Sequence, residues 1–217
     1  MRIRITFTKQ GALRYTGHLD LHKIWERATR RANLPLAYSQ GFHPQPKIHL
    51  AAALPLGFSS RCELVDMWVD DDVLDLTTLP ARFGEVVPMG IKILGVEKVE
   101  EKSPPLQTQV VSAEYEVTLF DEVDPKELTQ RLTTVMETAS LPRERRGKPY
   151  NLRPLIEKLT ITPSPLPLGE GQEVMVFMRL AAREGATGRP EEVLDVLGIR
   201  YEGTRVERCR FLFKENL

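Results

Sequence analysis

The apolar residues of this 217-residue chain change their period twice in the same order. That repetition constrains the fold more than any other feature. In residues 2–9 side chains alternate, with Ile3, Ile5 and Phe7 on one side, which predicts a strand with one buried face. In residues 18–33 Leu21, Ile24, Trp25, Ala28 and Ala32 recur at helical spacing, and Asn33-Leu34-Pro35 ends the run. Residues 47–54 and 62–69 are strand-like about a turn at 57–60; residues 74–83 predict a short helix and 91–99 a further strand. The order is β-α-β-β-α-β.

After a break at Lys102-Ser103-Pro104-Pro105 the order recurs. Residues 115–120 predict a strand and 125–138 a helix, with Asp124 as N-cap and Pro125 in its first turn. A hairpin of 159–162 with 174–180 follows, then a short helix over 189–197 stopped by Gly198, then a strand over 205–213. Residues 141–158 are extra and are expected to form a basic loop and a short helix. The fold class is therefore α+β: two tandem ferredoxin-like (βαββαβ) domains with antiparallel sheets, over residues 1–103 and 110–217.

Composition excludes little. No run approaches the ~18 apolar residues of a membrane span. The alternating N-terminus reads as a strand and not as a signal peptide, so no membrane association and a cytoplasmic location are expected. Cys62 and Cys209 fit no metal spacing and are expected to be reduced thiols. The zero net charge is a cancellation. Residues 1–50 carry nine Lys/Arg against two acids, whereas 60–101 carry ten acids against four bases. Such asymmetry suits a surface with one face attractive to phosphate.

Chemistry-bearing residues concentrate between 13 and 57, which holds all four histidines: His18, His22, His43 and His49. Lys23, Arg27, Arg30 and Arg31 make a cationic stripe on the first helix, opposed by Glu26, and Lys47 follows. The loop Tyr38-Ser39-Gln40-Gly41-Phe42-His43-Pro44-Gln45-Pro46-Lys47 joins a helix to a strand, a usual place for function. Gly41 and the prolines predict a loop that is ordered without ligand and holds Phe42 against the core. His43 and Lys47 would then lie beside His18 at the anion-attracting end of the helix. The spacing of His18 and His22 about Asp20 can bind a metal, but no third ligand is apparent and no metal is expected. The alternatives are a helix start capped by Asp20 or His18, and contact with RNA or phosphate. A second basic run, with Arg143, Arg145, Arg146 and Lys148, precedes Tyr150 and Arg153; basic groups interleaved with aromatic ones suit single-stranded nucleic acid.

No nucleophile elbow, phosphate loop or iron–sulfur cysteine cluster is present, so no catalytic set and no cofactor is assigned to the chain. Gly17-His18-Leu19-Asp20, Arg27-Ala28-x-Arg30-Arg31-Ala32, the 37–47 loop and Leu54-Pro55-Leu56-Gly57 together resemble the radical SAM-linked protein family, a bacterial domain of unknown function. The resemblance covers nearly the whole chain, with a weaker match at residues 151–156. It implies an accessory role beside a cobalamin-binding radical SAM protein, in a setting linked to RNA. His22 and His49 are not part of the motif.

Three readings follow. In the first, an RNA-binding accessory protein uses Arg27, Arg30, Arg31, Lys47, Arg145, Arg146 and Arg153 toward nucleic acid, with Tyr38 and Phe42 shaping a pocket or stacking. In the second, an interaction module docks the radical SAM partner without nucleic acid through Asp70-Asp71-Asp72 or a sheet edge. In the third, a small-molecule enzyme is built on His18, Asp20, Ser39 and His43.

Overall fold

The computed structural model describes residues 1–163, 174–183 and 185–214. The chain divides into two compact units, Met1–Val110 and Val111–Leu217, each a mixed α+β structure. The first contains β1 (Arg2–Lys9), α1 (His18–Arg31), β2 (Ile48–Leu50), β3 (Ser59–Trp68), α2 (Leu79–Gly84), β4 (Ile93–Val99) and α3 (Leu106–Gln109). Its strands lie in the order β4-β1-β3-β2, and all three pairings are antiparallel. Strand alternation sends Ile3, Ile5 and Phe7 to one face, where all three are fully buried. Trp25 of α1 meets Phe7 edge-on at 4.7 Å and Phe83 of α2 at 5.5 Å, so one indole joins the sheet to both helices.

The second unit contains β5 (Val110–Leu119), α4 (Pro125–Glu137), β6 (Pro142–Arg145), β7 (Lys148–Asn151), β8 (Ile156–Pro163), β9 (Val174–Arg183), β10 (Ala186–Thr187), α5 (Pro190–Val196) and β11 (Thr204–Phe213). Its main strands run β8-β9-β5-β11, with β9 antiparallel to both β5 and β8. Asp124 caps α4 as expected, accepting from the Lys126 amide at 2.9 Å, with Pro125 in the first turn. Val176, Met178 and Leu180 alternate inward from β9 and are buried, as are Leu128, Leu132, Val193 and Leu194 of the helices.

Two expectations are corrected. The extra segment is not a basic loop: Arg146 (φ 53°) and Gly147 (φ 74°) both adopt the left-handed backbone that closes a two-residue hairpin, so β6 and β7 pair. The helix expected after it is only a 3-10 turn over Arg153–Leu155, and β8 starts immediately. The break at residues 102–105 is followed by a short helix that the sequence reading did not predict, α3. A 3-10 turn over Gly11–Tyr15 ahead of α1 was also missed.

Alternation places Arg2, Arg4 and Asp66 on the sheet face opposite Ile3 and Ile5. Arg2 and Asp66 are nonetheless 1% and 0% exposed. Arg2 donates to Asp66 Oδ2 from Nε (3.0 Å) and Nη2 (2.6 Å), while Arg4 donates from Nε to Oδ1 at 2.8 Å and from Nη2 to Oδ2 at 3.1 Å. The outer edge of the Arg2 guanidinium donates to the Ser103 and Pro104 carbonyls at 2.7 and 3.0 Å, and Arg4 reaches Gln109 at 3.4 Å. The segment after β4 is thereby fastened to β1. Removing the shared carboxylate strands two guanidinium groups. Asp66→Asn and Asp66→Ala are therefore each expected to destabilise the first unit by about 3–5 kcal/mol, read as a lowered urea midpoint in Trp fluorescence. An unchanged midpoint in both would refute the dependence.

Candidate nucleic-acid interface

Helix α1 begins at Gly17, which has no side chain with which to cap. The expectation that Asp20 or His18 caps it is corrected: His18 is the first helical residue and Asp20 lies exposed in the first turn, where its charge complements the helix dipole. The apolar face points inward through Leu21, Trp25 and Ala28. The opposite face exposes Lys23, Arg27, Arg30 and Arg31, and Arg30 is paired with Glu26 one turn away. His22 does not face solvent as a free group; its Nε2 bonds the Ile48 carbonyl at 3.2 Å, tying α1 to β2.

The 38–47 loop is closed by several bonds. Tyr38 and Pro46 form an isolated antiparallel bridge. The Ser39 amide donates to the Gln45 carbonyl at 2.8 Å, and the Gln45 amide donates to Ser39 Oγ at 2.9 Å. The Lys47 amide donates to the Ala37 carbonyl at 2.9 Å. Gly41 has φ +131°, a conformation that side-chain-bearing residues resist. Contrary to expectation, Phe42 is not packed on the core but is 103% exposed, because the braced turn projects it outward. His43 and Lys47 are exposed as well, and Tyr38 is partly so. Ser39 serves as a loop brace. Among the described residues, no group of three or more His, Cys, Asp or Glu side chains is arranged to hold a metal ion.

Two of the basic residues assigned to nucleic acid in the second unit have structural work. Arg145 donates to both Glu192 oxygens (3.0 and 2.8 Å) and to the Thr187 carbonyl at 3.3 Å, and it stacks on Tyr150 at 4.9 Å. Arg143 pairs with Asp195 at 2.9 Å, so the hairpin is clamped to α5. Arg153 donates to the Met136 carbonyl from Nε and Nη2 (3.1 and 2.7 Å) and to the Ile156 carbonyl at 2.9 Å. The Arg143 and Arg145 charges looked free in sequence because their acceptors in α5 and at Thr187 lie 42–52 residues away, and that of Arg153 because it is spent on main-chain carbonyls. Arg146, at the hairpin turn, is exposed. A groove of about 420 Å³ between α4 and α5, lined in part by Gln130, Thr134, Thr138 and Val196, carried no sequence signal.

His49 contributes in a way its sequence position did not suggest. It lies across the ladder from Asp66 and packs edge-on against Trp68 at 4.9 Å; the other side of the network reaches the same indole through Arg2, also at 4.9 Å. Burial holds its imidazole below the ordinary value; Asp66 opposes this, and Arg2 and His22 add to it.

A bacterial family described as "Uncharacterized protein conserved in bacteria (DUF2344)" matches residues 2–190. No curated protein matches the chain. Among solved structures, one chain of "Crystal Structure of a Cbf5-Nop10-Gar1 Complex" is similar with a TM-score of 0.50 and 11% identity. The match covers 96% of this chain and 48% of that one, so the chain spans about half the length of that relative. At that identity the likeness is one of fold.

The His49 shift fixes a sign. The unfolded chain takes up a proton near pH 6.5 that the folded form resists, so this contribution is fully present above that value and is lost as pH falls from it through the lower folded-state value. NMR titration is expected to place the His49 midpoint below 6.5, and His49→Gln should flatten the fall in stability just below that pH. A midpoint at or above 6.5 would contradict it.

Proposed function

The chain belongs to this bacterial family, and we propose that it is an RNA-binding accessory protein serving a cobalamin-binding radical SAM partner. The observation that carries the RNA part is the solvent face of α1. It sets Lys23, Arg27, Arg30 and Arg31 within two to three turns, with the Glu26–Arg30 pair as its one ion pair among the described residues. Cations in such a row meet successive phosphates of a polyanion and release its counterions. Lys47, at the base of the loop that follows the helix, is a further exposed cation. The partner assignment follows the motif resemblance at residues 17–20, 27–32 and 37–47.

Architecture supports the same reading. The strand orders β4-β1-β3-β2 and β8-β9-β5-β11 have the same pattern once one is read in reverse, as expected for tandem ferredoxin-like units. No helix among the described residues is long and apolar enough to cross a membrane. A cytoplasmic setting, where RNA is encountered, is part of the proposal.

Filter binding of total bacterial RNA at about 50 and about 200 mM salt tests it. Affinity is expected to fall steeply between the two. In Arg27→Glu/Arg31→Glu the slope of log affinity against log salt should shrink by about 0.7 for each lost phosphate contact with a single strand. Absence of salt-sensitive binding, together with nuclease-resistant co-purification of the radical SAM partner, would replace this reading with that of a protein-docking module.

A further inference from the structure

Among the described residues Phe42 is the most exposed of the large apolar side chains, at 103%, yet it stands on a loop that is held in shape. The Tyr38–Pro46 bridge and the reciprocal Ser39–Gln45 bonds close the loop below it. Pro44 and Pro46 restrict the backbone beyond it, and Gly41 supplies the turn in front. A phenylalanine is normally stabilised by burial, and this fold holds one in water instead. A braced loop that presents an apolar ring loses little entropy when something lands on it.

The position of the loop says what lands. Its base is held at the end of β3, where the Ala37 amide donates to the Trp68 carbonyl (2.7 Å) and the Trp68 amide to the Lys47 carbonyl (3.1 Å), and the chain leaving it meets α1 where His22 bonds the Ile48 carbonyl (3.2 Å). At 100° per residue, Lys23 and Arg30 project about 80–100° round the helical wheel from His22. The cations therefore begin a quarter-turn round α1 from the point where the chain leaving the loop meets it. A flat apolar ring flanking a row of cations matches a ligand with a flat apolar face on a polyanionic backbone.

We propose that Phe42 is a base-stacking residue and that the ligand of this face is single-stranded RNA. The inference rests on the RNA-binding reading above and narrows it. A duplex keeps its base faces stacked on one another and offers the ring only backbone, whereas an unpaired strand offers each base plane. Lys23, Arg27 and Arg30 take phosphates while Phe42 takes a base, and Lys47, at the base of the same loop beyond Phe42, is a further exposed cation.

The experiment uses the full chain with a short oligouridylate, free or annealed to oligoadenylate, followed by fluorescence anisotropy across a salt series. The single strand is expected to bind more tightly than the duplex. Phe42→Leu, which keeps an apolar side chain but not the ring, should weaken single-strand binding roughly tenfold, and Phe42→Trp should retain it. The salt slope of Phe42→Leu should stay that of the unaltered chain, since its phosphate contacts persist. A thermal melt verifies that neither variant alters the fold. Equal binding of strand and duplex, or Phe42→Leu within about twofold of the unaltered chain, overturns the stacking role while leaving salt-sensitive RNA binding in place. No salt-sensitive binding to either ligand removes both the inference and the reading beneath it.

Discussion

One carboxylate, Asp66, organises the first unit. It is fully buried and receives four guanidinium N–H bonds, two from Arg2 and two from Arg4. A buried pair of unlike charges gains little net stability over an apolar replacement, but a member left alone is costly. The triad therefore acts chiefly by excluding alternatives. A one-residue slip of β1 against β3 would turn Arg2 and Arg4 into the core and leave Asp66 bare. The same guanidinium that satisfies Asp66 also donates to the Ser103 and Pro104 carbonyls, so strand register and the path of the chain after β4 are decided together.

That arrangement positions the candidate interface. With β1 and β3 in register, β2 pairs at Ile48↔Met67, and the Ile48 carbonyl is presented to His22. Helix α1 then lies with Trp25 inward, and its cations have nowhere to go but solvent. The electrostatics of the two faces differ in kind. On the sheet face that carries Arg2 and Asp66, charges are neutralised in place and hold structure. On α1 they are left largely uncompensated, which costs nothing in water and is useful only toward an anion.

Much of this could be read in the sequence. Helical spacing from Leu21 to Ala32, alternation at Ile3, Ile5 and Phe7, and the Asp124-Pro125 start of α4 are local signals, and local structure obeyed them. Charges were not legible in the same way. Arg2, Arg4, Arg145 and Arg153 look like solvated cations, and Asp66 looks like part of an acidic stretch. Their partners lie far off, 64 residues away for Arg2 and 47 for Arg145. Sequence pattern reports which side of an element a residue occupies but not what a fold places opposite. Phe42 failed for the converse reason: its hydrophobicity argued for burial, while the turn chemistry of Gly41 and the loop braces decided its direction.

The Arg153 staple has a consequence for how the second unit can change. One guanidinium joins the Met136 carbonyl, near the end of α4, to the Ile156 carbonyl, at the start of β8. The Leu152 amide closes on the Leu141 carbonyl at 2.9 Å just inside that junction. Everything between those closures is an excursion whose ends are already fastened. Its length then enters stability only through a slowly growing logarithm of loop size. The Arg146-Gly147 tip is thus a natural place for extra residues to accumulate without disturbing the sheet. A chain built this way can acquire a new reach from its second unit while leaving both of its cores untouched.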